Sequence, residues 1–282
     1  MDHLFESIGV EKSQKIANIC KFPWQFQVEP FRIAGNLYYV GNSDVSSHLI
    51  DTGDGLVLID TTYPQTVYLL LESIRNLGFD PRDVKLLFHC HGHYDHFGGT
   101  KAIAEMTGAK TLLGKDDIYI LEDRPELSWA PEYGVDFYEF FDIDTPLEDG
   151  DEISLGNTTI KCINVPGHTP GAMAYFFNID KGGETYHVGI HGGPGLNTLQ
   201  DEYLARYDLS SNSRQQYSNS LYKVMTEDVD IHLGAHPGQN NTLAKRKKMG
   251  DGKNPFIDSD AWSSFLHQLL NNFNSQFLGK ER

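Results

Sequence analysis

The sequence predicts an α/β protein built as one four-layer αββα sandwich, and three observations lead there. Short apolar runs of strand character alternate with longer stretches whose apolar residues recur at helical spacing. No linker or low-complexity stretch divides the 282 residues. Both halves of the chain supply strands that end in histidine-bearing turns, so neither half is complete alone. We therefore expect a single domain over residues 1–282, with an N-terminal extension at 1–30 and a C-terminal helix at 258–282.

The elements follow in order. Residues 48–60 read as a hairpin turning at Gly53-Asp54-Gly55, its second strand ending at Asp60. Residues 64–77 carry Val67, Leu70, Leu71, Ile74 and Leu77 on one helical stripe, opened by Thr61-Thr62 and closed by Gly78. Val84, Leu86, Leu87 and Phe88 form a short buried strand between Asp80-Pro81 and Gly98-Gly99. A short helix is expected over residues 98–106, its N-terminus toward the preceding turn, where it favours anionic ligands. Residues 152–165 read as a hairpin turning at Gly156-Asn157. Strands at 185–191 and 229–232 and helices at 213–225 and 259–277 complete the layout. In the last helix Trp262, Phe265, Leu266, Leu269, Leu270 and Phe273 share a face, as core or subunit contact.

Composition narrows the function classes. A net charge of -16 repels a nucleic-acid backbone. The basic run Lys245-Arg246-Lys247-Lys248, close to Gly250 and Gly252, reads as a solvated loop. No window of about 18 apolar residues exists to span a membrane. The start Met1-Asp2-His3-Leu4-Phe5-Glu6 lacks the regions of a signal peptide, so the expectation is cytoplasmic unless a leader has been removed. Cys20, Cys90 and Cys162 make no disulfide framework or Cys-x-x-Cys pair. Cys90 alternates with His91 along the strand end and is expected as a buried thiol facing the other way.

The chemistry concentrates at His91-Gly92-His93-Tyr94-Asp95-His96, where three imidazoles and a carboxylate follow a buried strand. Such side chains suit zinc and its neighbours, and a loop at a strand end is where a rigid scaffold presents chemistry. Two more turns have this character: Pro166-Gly167-His168-Thr169-Pro170-Gly171 and Gly234-Ala235-His236-Pro237-Gly238. Each alone is weak, since a turn histidine is usually a solvated side chain. With the hexapeptide they give six ligands, enough for two metal ions with positions left for water.

This order of motifs resembles the metallo-β-lactamase superfamily, over about residues 35–240. The resemblance implies the αββα sandwich of that family and two Zn2+ ions, the first held by His91, His93 and His168, the second by Asp95, His96 and His236. The Asp-His-His second site is most similar to the third subclass of metallo-β-lactamases. Many relatives carry a metal-bridging aspartate at the end of the strand after the Gly-His turn. Here Ile190 stands in that place, which counts against the phosphodiesterase, glyoxalase and flavodiiron branches. The third subclass also lacks the bridge, but it usually places serines where this chain has Ile190, His191, Gly192 and Gly193.

Further expectations attach to single residues. Three neutral imidazoles leave one position for water, whose pKa falls to about 7 on zinc. Asp95 is both ligand and candidate catalytic residue, orienting the attacking hydroxide. Asp60 is a candidate outer carboxylate for a ligating His N–H, or else a strand-end turn residue. His187 and His191 share a strand face and either reach the substrate or sit in the core or at the rim. Residues 122–142, rich in aromatic and acidic side chains, form either a lid or a packed surface or oligomer contact. As a lid, Trp129 and Tyr133 would touch a small, partly apolar substrate.

The expected function is therefore zinc-dependent hydrolysis of a small cyclic or linear carbonyl compound, with β-lactam hydrolysis the leading named activity. An intracellular lactonase, esterase or amidase follows. Iron at the same ligands doing redox chemistry is a more distant alternative, and a non-catalytic binding module on the same fold is more distant still. There is no Gly-x-Ser-x-Gly elbow, Walker loop or Gly-x-Gly-x-x-Gly.

Overall fold

The computed structural model describes residues 14–250 and 252–279. The Met1–Glu6 start and the first part of the expected N-terminal extension lie outside the described residues. In the first sheet β1 (Phe31–Ala34), β2 (Leu37–Tyr39), β3 (His48–Asp51), β4 (Leu56–Ile59), β5 (Val84–Phe88), β6 (Lys110–Gly114) and β7 (Thr145–Leu147) lie side by side in chain order. Neighbours are antiparallel from β1 to β4 and parallel from β4 to β7. Parallel neighbours need crossovers. Helix α1 (Gln14–Lys21) precedes this sheet, and α2 (Val67–Asn76) carries β4 to β5. The short α3 (Tyr94–Phe97) and then α4 (Thr100–Thr107) carry β5 to β6, and α5 (Ile118–Glu122) follows β6.

The second sheet holds β8 (Glu152–Leu155), β9 (Thr158–Asn164), β10 (Met173–Lys181), β11 (Glu184–His191) and β12 (Ile231–Gly234), in the spatial order β12-β11-β10-β9-β8. Only the β11–β12 pair is parallel. Its crossover is made by α6 (Asp201–Arg206) and α7 (Asn212–Val224), and α8 (Thr242–Lys247) and α9 (Ala261–Phe273) close the chain.

Alternation along the strands builds the layers. Val57 and Ile59 of β4 meet Tyr175, Phe177, Val188 and Ile190 of the second sheet in one core between the sheets. Leu56 and Leu58 face the other way, onto Leu70 and Ile74 of α2 and Ile103 of α4. Ala174 and Phe176 of β10 likewise face outward, onto Tyr217 and Leu221 of α7 and Trp262 and Leu266 of α9. The order helix, sheet, sheet, helix is the expected αββα sandwich.

Two expectations change. The helix placed over residues 98–106 begins two residues later, as α4, and the ligand-bearing run before it, expected as a turn, forms the short helix α3, with Gly98-Gly99 between the two. Both glycines lie against neighbouring chain: a Cβ would stand 2.4 Å from Pro64 Cδ at Gly98 and 2.7 Å from the Thr61 carbonyl at Gly99. The basic run at 245–248 is not a loop, since α8 includes Lys245, Arg246 and Lys247. Its cations cap aromatic rings, Lys245 Nζ lying 5.6 Å from the Phe256 centroid and the Arg246 guanidinium 5.0 Å from that of Phe31. Among the described residues no helix is long and apolar enough to cross a membrane.

Trp262 anchors α9, packing edge-on to Phe176 and donating from Nε1 to the Val224 carbonyl at 3.0 Å. Trp262→Ala should destabilise the protein by about 3–5 kcal/mol in denaturant unfolding. Because α9 lies behind the second sheet, metal content of the folded fraction should stay at the wild-type value. A parallel loss of metal in that fraction would contradict this layering.

Candidate metal centre

The ligand-bearing turns leave the C-terminal ends of β5, β9 and β12, from both sheets. The structure brings His91, His93 and His168 together as one group and Asp95, His96 and His236 as another, with ligand atoms in each group within 4.8 Å of one another. His91 Nε2 and His93 Nδ1 lie 3.0 Å apart. Around a tetrahedral zinc with bonds of about 2.0–2.1 Å, neighbouring nitrogens stand about 3.3 Å apart. The rings of His91 and His96 have centroids 4.2 Å apart, so the two groups adjoin. Asp95 Oδ2 lies 3.6 Å from Nε2 of both His96 and His236.

The outer ring nitrogens decide which lone pairs converge. His96 Nδ1 donates to Asp60 Oδ2 at 2.8 Å, His236 Nδ1 to the Asp44 carbonyl at 2.8 Å, and His168 Nδ1 to the Gly195 carbonyl at 3.0 Å. A neutral imidazole that donates from Nδ1 keeps its lone pair at Nε2. Three rings are thus oriented with Nε2 toward the ion's place before any ion arrives, although His96 must shed its Nε2 proton to bind one. His93 Nε2 has no partner among the described residues, and its ring packs on Trp129 instead. The donor set fits zinc at both groups: three imidazoles in one, two imidazoles and a carboxylate in the other.

Asp60 is held for this task. It is buried at a φ of 62°, a backbone region most side chains avoid, while Oδ1 accepts from the Cys90 amide at 2.8 Å. Burial raises its pKa, but the adjacent His96 and the Cys90 amide outweigh that and hold the carboxyl below its usual range. Sequence reasoning missed a second buried carboxylate, Asp117. It accepts from the Gly92 amide at 2.8 Å, Thr169 Oγ1 at 2.6 Å and the Gly171 amide at 2.6 Å. It therefore staples the turn between His91 and His93 to the turn holding His168. Burial pushes Asp117 up to about 6 against the pull of those three donors.

Burial also sets the charge of the ligands. It drives His91 and His93 well below the usual imidazole range and His168 to about 3. His96 is the exception: burial pushes it down, yet Asp95 and Asp60 outweigh this and raise it to about 9. The second triad thus favours positive charge where its ion would sit.

The cavity over the two triads has a volume of about 380 Å3. Of residues 122–142, Trp129 and Tyr133 line it, while Phe137, Phe140 and Phe141 pack on Phe97. Tyr133 Oη lies 3.5 Å from Asp95 Oδ2. Among the described residues Lys15 is the single lysine or arginine on the cavity wall, its Nζ 3.1 Å from Asp44 Oδ2.

His191 is a correction, because it does not line this cavity. It is buried, with Nδ1 accepting from the Gly193 amide at 3.2 Å, and burial lowers it to about 4. The alternation that puts Val188 and Ile190 between the sheets sends His187 and His191 to the helix-covered face, where His187 stacks on Phe176. Cys90 is the expected buried thiol, facing the core between the sheets. His89 is structural, spanning the Leu112 carbonyl and Thr100 Oγ1.

The glycines that replace serine beside the site have a steric cause. A Cβ on Gly192 would lie 2.1 Å from the Met173 carbonyl oxygen, and one on Gly193 would lie 3.0 Å from His168 Cβ. Backbone at Gly192, and the side chains of Ala172 and His168 at Gly193, fill the space a serine needs.

Proton competition separates the two triads. With no cation beside it His96 is protonated below about pH 9, so an ion entering the second triad displaces one proton at neutral pH. Affinity there should climb about tenfold per pH unit from roughly 6 to 9 and then level. The first triad, with imidazoles depressed by burial, should show no such slope over that window. Chelator-competition titrations across this range check both sites, and equal slopes would contradict the assignment. Asp60→Ala should weaken the second site about 10–100-fold while sparing the first.

The comparisons with known proteins agree with this geometry. A family model described as the metallo-beta-lactamase superfamily matches residues 40–182. The native metallo-beta-lactamase FEZ-1 from Legionella gormanii superposes with a TM-score of 0.82 at 31% identity, covering 91% of this chain and 98% of its own. BJP-1, a subclass B3 metallo-beta-lactamase of Bradyrhizobium japonicum, gives 0.82 at 29% identity, over 92% of this chain and 97% of its own. Among curated proteins, the probable polyketide biosynthesis zinc-dependent hydrolase PksB of Bacillus subtilis is 25% identical over 159 residues, 56% of this chain and 57% of that protein.

Proposed function

The chain belongs to the metallo-beta-lactamase superfamily, and from that premise we propose a di-zinc hydrolase acting on a small cyclic or linear carbonyl substrate. The observation that carries this reading is the convergence of six donors in two adjoining triads, five of them buried and His236 half-buried, with three of their rings fixed from behind by hydrogen bonds. Zinc held there would supply Lewis acidity, polarising a carbonyl and lowering the pKa of water to about 7. The protein's own groups do the rest. Asp95, within the second triad beside His96 and His236, accepts a proton from or orients the attacking water. Tyr133, with its hydroxyl toward Asp95, donates to negative charge that develops at the reacting centre. Trp129 and the 122–142 segment exclude solvent.

Within this class β-lactam hydrolysis is the first activity to test, on the strength of the subclass B3 neighbours. A β-lactam also carries a carboxylate that needs an anchor, and Gly192 and Gly193 leave no serine to provide it. Lys15 takes that part in our reading, as the cation on the cavity wall. The second reading is hydrolysis of a lactone or ester, favoured by the same missing serines.

Zinc-loaded protein should be assayed against a chromogenic cephalosporin and a panel of neutral lactones and esters. Asp95→Asn should lower turnover of any accepted substrate by more than the 10–100-fold typical of losing an outer partner. Lys15→Met should raise KM for the anionic cephalosporin about tenfold, as expected for a lost charge-assisted contact, and leave KM for a neutral lactone in place. Turnover of lactones alone would select the second reading. No turnover of any carbonyl substrate at full zinc occupancy would overturn the hydrolase reading.

A further inference from the structure

A second cavity, of about 300 Å3, opens beside the first triad. It shares His93 and His168 with the cavity over the metal centre. Ile120, Leu127, Leu204, Leu209 and the rings of Tyr119 and Tyr203 line it, with Thr169 and Thr198, whose hydroxyls are taken up by Asp117 and His168. Ser210, Asn212 and Gln216 stand exposed at its mouth. Among the described residues no Asp, Glu, Lys or Arg lines it, although charged residues make up 22% of the chain. The partition between the cavities is fixed. Trp129 lies between His93, at 5.6 Å between ring centroids, and Tyr203, at 5.1 Å, and its backbone is held at a φ of 67°. A tryptophan in that region persists only where its surroundings impose it.

Protein interiors are close-packed, and an apolar hollow of this size is not an ordinary packing defect. Water inside it finds few hydrogen-bonding partners, so an apolar group displaces it favourably. The reacting centre thus has polar, metal-binding surface on one side and an uncharged apolar chamber on the other. We propose that this chamber is a specificity subsite that takes an apolar alkyl or aryl group attached to the substrate's carbonyl carbon. This rests on the hydrolase reading above and narrows it: acyl compounds with a chain or ring that reaches the chamber are preferred over short or charged ones.

The test uses zinc-loaded full chain and p-nitrophenyl esters from acetate through butyrate and hexanoate to octanoate. kcat/KM should rise about three- to fourfold per methylene until the chamber is full, because each added methylene leaves water. Leu204→Phe, which fills the chamber from the α6 side, should lower the octanoate-to-acetate ratio and move the optimum to a shorter chain. Leu209→Phe, at the half-buried edge, should do the same if the first variant fails to fold. A flat series, or a length preference that both folded variants leave intact, would overturn the proposal. A readout independent of turnover is calorimetric titration with 1-octanol. Saturable one-site binding that Leu204→Phe removes supports the chamber even if no ester is hydrolysed, in which case the hydrolase reading falls and the chamber stands. No saturable octanol binding together with a flat ester series would sink the chamber alone.

Discussion

Asp60 and Asp117 are buried carboxylates that belong to neither triad, and the metal centre depends on what each of them accepts. Asp60 takes the Nδ1 proton of His96 and the amide of Cys90, which fixes one end of the ligand run to the end of β4. Asp117 takes amides from Gly92 and Gly171 and the hydroxyl of Thr169, which ties the ligand turn of the first sheet to that of the second. Burying a carboxylate is unfavourable unless hydrogen bonds replace its hydration. Both are fully engaged, and a partner lost from either leaves a charge without its compensation. The turns they hold contain Pro and Gly and have little secondary structure of their own, so these bonds set the spacing of the donors.

The two sheets set the scale on which those bonds act. Strand alternation packs apolar side chains between the sheets and against the helices, leaving the strand ends as the place where polar side chains from both sheets meet. The same alternation removes candidates as well as supplying them. Ile190 faces the inter-sheet core and offers no bridging carboxylate, while His191 faces the helix layer and never reaches the cavity. The glycines at 192 and 193 follow from the close pass of the chain over Cys90, Met173 and His168. A pocket side chain in that place would displace a ligand.

Much of this was legible in the sequence because the signals are local. The hexapeptide, the two Gly-His turns and Asp60 each sit directly after an apolar strand, and β5 occupies the run Val84–Phe88 that its composition marks out. What was not legible depends on distant partners. Nothing in Lys115-Asp116-Asp117 distinguishes the buried Asp117 from its exposed neighbour Asp116; its meaning lies in an amide 54 residues away. His191 was misjudged because its face of β11 is set by which helices cover the sheet. At 245–248 the solvated character was legible, Arg246, Lys247 and Lys248 being exposed, but not the helix or the rings of Phe31 and Phe256 that Arg246 and Lys245 cover, which are remote or unmarked in sequence. Lys15 gave no signal, since its place on the cavity wall comes from the packing of α1.

We expect two zinc ions in the two adjoining triads, and anomalous diffraction at the zinc edge from crystals of zinc-loaded protein would locate them. The account predicts two peaks, one enclosed by His91, His93 and His168 and one by Asp95, His96 and His236. A single peak at full zinc saturation, or a peak ligated by Asp60, Asp117 or His191, would contradict it.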